Sequence, residues 1–268
     1  MISPFLKWAG GKRWLVKSNK FPKPQHFNQY IEPFLGSGAV FFSLLPDKAI
    51  LADINCDLIE LYQVIRDDHI ALKRHLEKHQ SQHCKEYYYN IRSFVPDNNV
   101  ARAARFIYLN RTCWNGLYRV NLKGQFNVPI GTRSAILKDT DDFATISKIL
   151  GGVEFFATDF EITINMAQEG DFLFVDPPYT VKHNNNNFIK YNEKIFSWKD
   201  QKRLKECLIK AKNRGVQIVI TNADHKCIQE LYCELGEYMQ FFRSSSLAAD
   251  VKKRRNISEG IFLANFEL

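Results

Sequence analysis

Five short runs of β-branched, aromatic and aliphatic residues constrain this chain most. They are residues 29–34, 48–53, 153–157, 172–176 and 216–221. Each is shorter than an ordinary buried helix and is flanked by Gly, Pro, Asp or Asn, so each reads as a strand buried on both faces. Helical spacing appears in Ala39–Leu45 and Trp198–Asn213. Strand, helix and strand in alternation predict an α/β fold with a mostly parallel sheet. Two further runs, Tyr238–Arg243 and Gly260–Phe266, suit an antiparallel pair closing that sheet.

Residues 56–143 break the rhythm. Leu58–Leu76 and Asn99–Arg111 have helical patterns, and the Gly- and Asn-containing section Trp114–Gly131 ends in a loop or hairpin. We therefore expect a mainly helical domain at 56–143, inserted into a sheet domain made of 1–55 and 144–268. No apolar run approaches the ~20 residues of a membrane span, and Met1–Lys12 lacks the pattern of a secretory leader. Six cysteines stand at 56, 84, 113, 207, 227 and 233 without CxxC pairing or nearby histidines in zinc-ligand spacing. That usage suits reduced thiols, a cytoplasmic location and no metal. The net charge of +8 favours polyanionic partners, because neutralising phosphates releases their counterions.

Three strand ends carry chemistry. Glu32-Pro33-Phe34-Leu35-Gly36-Ser37-Gly38 is a strand running into a glycine turn, which lets a ligand approach the backbone closely. It continues neither as GxGxxG, since Phe41 holds the third position, nor as a phosphate loop. The turn thus suits a nucleoside ligand without pyrophosphate, or serves only as a tight turn. Asp53 ends the next strand, where a carboxylate accepts from ribose hydroxyls; Asp53 or Asn55 equally suits a helix cap. Asp176-Pro177-Pro178-Tyr179 follows the apolar run Phe172–Val175, at the edge where open α/β sheets bind ligands. Two prolines stiffen the chain, and their carbonyls stay available as acceptors beside the carboxylate. An exocyclic amine has two hydrogens, one for Asp176 and one for a proline carbonyl. Tyr179 offers a plate for a base drawn from its stack.

The set, with Lys7-Trp8-Ala9-Gly10-Gly11-Lys12 at the start, resembles the Dam-type, α-ordered (D12 class) family of adenine-N6 DNA methyltransferases over positions 5 to about 260. Asn110-Arg111, Trp114–Arg119 and Phe126–Pro129 are similar to that family's recognition insert. The resemblance implies a Rossmann-like methyltransferase sheet, S-adenosyl-L-methionine as methyl donor and duplex DNA as substrate. It places Trp8, Lys12, Phe34, Gly36, Gly38, Asp53, Asp159, Phe160 and Asp176 around the donor. It places Asp176, Pro177, Pro178 and Tyr179 on the target base. Asn115, Leu117, Arg119, Asn127, Pro129 and Arg133 fall to DNA, with Arg119 the base reader. GATC is the family's common site. A cognate restriction endonuclease is an expected partner type, and the chain is expected to be a monomer or weak dimer.

Two departures from the family pattern stand out. Many relatives carry Gly-Arg-Tyr after the FNVP segment, where this chain has Ile130-Gly131-Thr132-Arg133. Residues 244–258 also differ. Lys252–Arg255 reads as a charged loop that contacts phosphates in a DNA-binding chain, and Asn184–Asn187 as a polar loop. Competing readings are methylation of RNA adenine, cytosine N4 or protein glutamine, a regulator with a dead donor site, and a nicotinamide oxidoreductase. Cytosine C5 chemistry would need a nucleophilic Cys, typically after Pro, and no Pro-Cys pair occurs.

Overall fold

The computed structural model describes residues 4–18, 21–116, 118–121, 124–181, 196–244 and 256–266. In chain order the elements are α1 (Arg13–Lys17), β1 (Tyr30–Glu32), α2 (Phe41–Leu44), β2 (Ala49–Asp53), α3 (Cys56–Gln82), α4 (Lys85–Ser93) and α5 (Asn99–Thr112). Then come α6 (Phe143–Leu150), β3 (Val153–Ala157), α7 (Phe160–Met166), β4 (Phe172–Val175), α8 (Trp198–Asn213), β5 (Gln217–Ala223), α9 (Lys226–Tyr232), β6 (Glu237–Ser244) and β7 (Asn256–Ala264). The chain forms two compact units: Met1–Val16 with Gly36–Leu45 and Asp53–Ala157, and Lys17–Leu35 with Pro46–Ala52 and Thr158–Leu268. No helix among the described residues is long and apolar enough to cross a membrane.

The second unit carries the parallel strands. From β2 onward the strand order of the sheet is β2-β1-β4-β5-β7-β6, with β3 preceding β2 in that order. β1 lies parallel to β2 and β4, and β4 parallel to β5. β7 runs antiparallel to β5 and β6 antiparallel to β7. This is the mixed, Rossmann-like arrangement expected, with the antiparallel closure at the C-terminal end. Phe172–Val175 of β4 is buried throughout, as a strand covered on both faces requires. Chain order reverses between β1 and β4, which makes their carboxyl ends the switch point where such sheets bind ligands.

The first unit is mainly helical. Asn55 caps α3 by accepting from the Leu58 amide, which settles the choice of cap in its favour over Asp53. α3 is longer than its pattern predicts and is interrupted at Asp68 (φ −147°, ψ 57°). The Asp68 carboxylate accepts from the Ala71 amide at 3.0 Å, so it acts as an internal cap that restarts the helix. α3 packs on α5, and Leu58, Leu61, Ile65, Leu72 and Leu76 on the one helix and Ala103, Ala104, Ile107 and Tyr108 on the other are buried. Arg102 on α5 reaches back to both oxygens of Glu60 at 2.6 and 2.8 Å.

Beyond α5 the Gly- and Asn-containing section takes the hairpin form. Bridges join Cys113 to Ile130 and Val120 to Phe126. The Asn121 amide donates to the Gln125 carbonyl at 2.8 Å, with Gly124 at φ +73° in the turn. The helix expected at Ala39–Leu45 shrinks to the single turn Phe41–Leu44. Its end follows from Pro46: Leu45, just before the proline, leaves the α region for φ +50°.

His79 is buried against Tyr108 and Tyr87, with Nδ1 2.8 Å from the Tyr87 hydroxyl. Burial first, then the charges of His75 and Lys78, push it down to about 4 from 6.5. The unfolded chain takes up this proton below pH 6.5 and the folded chain does not. Stability is therefore complete above pH 6.5 and falls by about 3 kcal/mol by pH 4 through this group. Denaturant titrations at pH 7 and 4.5 should show His79→Gln losing less stability on acidification than the wild type; equal losses would contradict this.

Candidate active site

β4 delivers its end into a polar setting built by neighbouring elements of the second unit. Val175 pairs with Ile220 in the parallel register, so Asp176 and Thr221 follow side by side. The fully buried Thr221 hydroxyl donates to Asp176 Oδ1 at 2.8 Å. Pro177 is buried, and Pro178 and Tyr179 are half-buried. Gln201 Nε2 on α8 donates to the Pro178 carbonyl at 3.5 Å. The Gln201 side-chain oxygen accepts in turn from Asn222 at 3.2 Å and from the Tyr232 hydroxyl at 2.8 Å. A buried amide with both ends engaged has one orientation, and the loop beside it inherits that order.

Tyr179 donates its hydroxyl to Glu259 Oε2 on β7 at 2.8 Å. Burial, followed by the charges of Asp176 and Glu259, pushes the Tyr179 phenol well above its ordinary value, so it stays a neutral donor. On β1 the buried Tyr30 hydroxyl donates to Glu32 at 2.9 Å. Burial raises the Tyr30 phenol as well, helped by the charges of Glu32 and Asp176.

An aromatic cluster lies in the same unit. Phe34, just past β1, stacks on Phe160 with centroids 5.5 Å apart, and Phe196 meets both rings at 5.7–5.8 Å. Asp159 caps α7 through the Glu161 amide at 2.9 Å and is gripped by Arg203 at 2.7 and 2.9 Å. The Arg203 hydrogen bonds hold the Asp159 carboxyl below the usual carboxylate range. The Arg203 guanidinium also lies 4.2 Å from the Phe160 centroid.

In the first unit, Trp8, Gly36 and Asp53 form a second group. Gly36 has φ +48°, and a Cβ there would meet Trp8 Cδ1 at 2.8 Å. The indole edge thus rests on bare backbone. Asp53 takes the Gly36 amide at 3.1 Å and the Asn55 amide at 3.0 Å. Burial raises its pKa, while the backbone N–H bonds from Asn55, Gly36 and Ile54 pull it back. Trp8 also stacks on Phe106 and Tyr118. Lys12 is buried and donates to the Gly10 carbonyl at 2.8 Å. Gly38, at φ +62°, faces the Tyr62 hydroxyl and the Phe42 ring.

Asn115, Arg119, Asn127, Pro129 and Arg133 are all exposed on or beside the hairpin. Arg119 Nε donates to Asn127 Oδ1 at 3.2 Å, and Trp114 donates its amide to the Pro129 carbonyl at 2.9 Å. Leu117, Asn184–Asn187 and Lys252–Arg255 lie outside the described residues. Asn110 and Arg111, beside the hairpin in the chain, are both buried. Asn110 exchanges two hydrogen bonds with the Lys7 backbone at 3.0 and 2.8 Å. Arg111 holds the Phe5 carbonyl at 3.0 Å and Asp141 at 2.7 Å. Their work is to seat the N-terminal segment.

Thr221, Asn222, Gln201, Tyr232 and Glu259 escaped sequence reasoning. Glu259 alone left a trace, as a carboxylate heading the apolar run that follows Gly260.

The family model described as D12 class N6 adenine-specific DNA methyltransferase matches residues 8–243. The "Type II methyltransferase M1.LlaDCHI" of Lactococcus lactis subsp. cremoris is 38% identical over 240 residues, covering 86% of this chain and 84% of that protein. The "Type II methyltransferase M.MjaIII" of Methanocaldococcus jannaschii is 36% identical over 244 residues, covering 83% and 84%. The "DNA adenine methylase" of Haemophilus influenzae is 32% identical over 263 residues, covering 96% and 91%.

Gly36→Ala should destabilise the chain by about 2 kcal/mol, through positive-φ strain and the push on Trp8. Denaturant unfolding with the near-ultraviolet signal of tryptophan followed in parallel checks this; an unchanged midpoint and spectrum would contradict it.

Proposed function

Because the chain belongs to the D12 class of N6 adenine-specific DNA methyltransferases, we propose that Asp176, Pro177, Pro178 and Tyr179 hold the adenine amine during transfer. The reaction is S-adenosylmethionine-dependent methylation of adenine N6 in DNA. This sets aside the RNA, cytosine, protein and oxidoreductase readings. The observation that carries the assignment is the Asp176 carboxylate beyond β4, its Oδ1 fixed by Thr221 at 2.8 Å.

The amine lone pair of adenine is normally spread into the ring. Hydrogen bonds from N6 to Asp176 and to a proline carbonyl favour a pyramidal nitrogen and localise that pair. Pro177 is the better candidate for the carbonyl, since the Pro178 oxygen already takes Gln201. S-adenosylmethionine, when bound, would supply an electrophilic methyl group, its S–CH3 bond breaking to leave the neutral thioether S-adenosylhomocysteine. As N6 gains its new bond it becomes strongly acidic, and Asp176 accepts the departing proton and passes it to water. The protein's contribution is positioning and fixed charge, with no covalent enzyme intermediate.

Two features fit a nucleoside donor: bare backbone at Gly36 under the Trp8 indole, and the Asp53 carboxylate at a strand end. We assign Trp8, Lys12, Gly36, Gly38 and Asp53 to the donor, with Asp53 on the ribose. Phe34, Asp159, Phe160 and Asp176 complete that set. Residues 56–143 are assigned as the recognition insertion and 1–55 with 144–268 as the catalytic body. Asn115, Leu117, Arg119, Asn127, Pro129 and Arg133 are assigned to DNA. Arg119 suits bidentate reading of guanine, and GATC is the first target to test. We place the protein in the cytoplasm as a monomer or weak dimer, beside a cognate endonuclease of the kind the type II relatives' names suggest.

Asp176→Ala should slow methyl transfer by about 10²–10³-fold or more while DNA binding survives. Incorporation of labelled methyl at near wild-type rates would remove this role from Asp176. Arg119→Ala should relax choice at one base pair, a loss of about 1–3 kcal/mol of discrimination. Sequencing of modified bases in DNA from expressing cells reads both target and relaxation; weaker methylation with an unchanged preference would make Arg119 a phosphate contact.

A further inference from the structure

Glu259 is a carboxylate only 1% exposed, on a strand that otherwise contributes Gly260, Ile261, Phe262 and Leu263 to the interior. Burying a carboxylate is costly unless a good donor meets it. The donor here is the Tyr179 hydroxyl, at 2.8 Å. Tyr179 lies within electrostatic range of Asp176 as well as Glu259. Its single hydroxyl proton goes to Glu259, while Asp176 takes its proton from Thr221. Two hydrogen-bonded pairs, Thr221 with Asp176 and Tyr179 with Glu259, thus lie side by side on the paired strands β5 and β7 and the loop beyond β4.

We infer that Glu259 is a positioning residue for methyl transfer, fixing the tilt of the Tyr179 ring on which the target adenine rests. This rests on the assignment of Tyr179 to the target base. A phenol without a partner for its hydroxyl swings about the Cα–Cβ bond, and a base lying on it moves with it. A charge-assisted O–H···O bond to a buried, strand-borne acceptor removes that freedom. The register supports this: Glu259 pairs with Ala223, two residues beyond Thr221 on the strand beside β4. The acceptor is thereby anchored to the strand that also orients Asp176. Amine and ring plane are set by one piece of sheet.

The test is single-turnover transfer of labelled methyl into unmethylated plasmid DNA, with donor affinity measured by calorimetry on the same full-length proteins. Glu259→Ala should slow transfer about 10- to 100-fold, the scale of a small misplacement of reacting groups, with donor affinity unchanged. Glu259→Gln keeps an acceptor oxygen and should restore most of the rate. Tyr179→Phe should show a similar loss, and adding Glu259→Ala to it should cost nothing more. Additive losses, or a wild-type rate in Glu259→Ala, would overturn the inference. Should Glu259→Ala not fold, Tyr179→Phe decides: a wild-type rate overturns the positioning role. Tyr179→Ala separates the two layers. If it transfers at the wild-type rate, the base-stacking assignment itself is lost; if it is slow while Tyr179→Phe is normal, only the role of Glu259 is lost.

Discussion

The hydrogen bond from Thr221 to Asp176 is the contact on which the site depends, and it exists because β4 and β5 are paired in one register. Phe172 to Val175 face Gln217 to Ile220 in parallel. The next residue on each strand is polar: Asp176 on one and Thr221 on the other. A slip of one residue would replace Thr221 by Ile220 or Asn222 and turn every side chain of β5 to the opposite face. Ile218, Val219 and Ile220 are close-packed in the interior, so the slip would force all three to repack. Hydrophobic burial in the strands thus fixes a polar contact at their ends.

What surrounds this contact is a set of buried polar groups, each with its own partner. Gln201, Asn222 and Tyr232 satisfy one another and present the Gln201 amide to the Pro178 carbonyl. Glu259 and Tyr179 do the same one strand further on. In the first unit Arg111 lies buried against Asp141 and its two terminal nitrogens also donate to the carbonyls of Phe5 and Ile136, while its buried Nε meets no acceptor. A half-satisfied network of this kind would cost more than an apolar core, whereas a complete one fixes geometry. That rigidity suits a reaction in which the protein's part is alignment.

Much of the chemistry was legible before any coordinates. Apolar runs ending in Gly36, Asp53 and Asp176 gave the strand ends of β1, β2 and β4, and the antiparallel pair at the C-terminal end followed the same reasoning. One local reading failed for an identifiable reason. The helix after the glycine turn was overestimated because Pro46 forces Leu45 out of helical backbone. Asn110 and Arg111 border the hairpin in the chain, yet α5 turns them inward onto residues 5 and 7, which no local pattern announces.

The sequence alone determined which chemical groups stand at the strand ends, in what order, and that the strands are buried. These are local facts, written in periodicity and in turn residues. It did not determine who holds those groups. Asp176 and Thr221 are 45 residues apart, Tyr179 and Glu259 80, and Lys7 and Asn110 103. Such pairs come together only when strands find their register and helices their packing. A hydrogen-bond partner across that distance leaves no periodic mark in the chain, so the tertiary structure alone decided it.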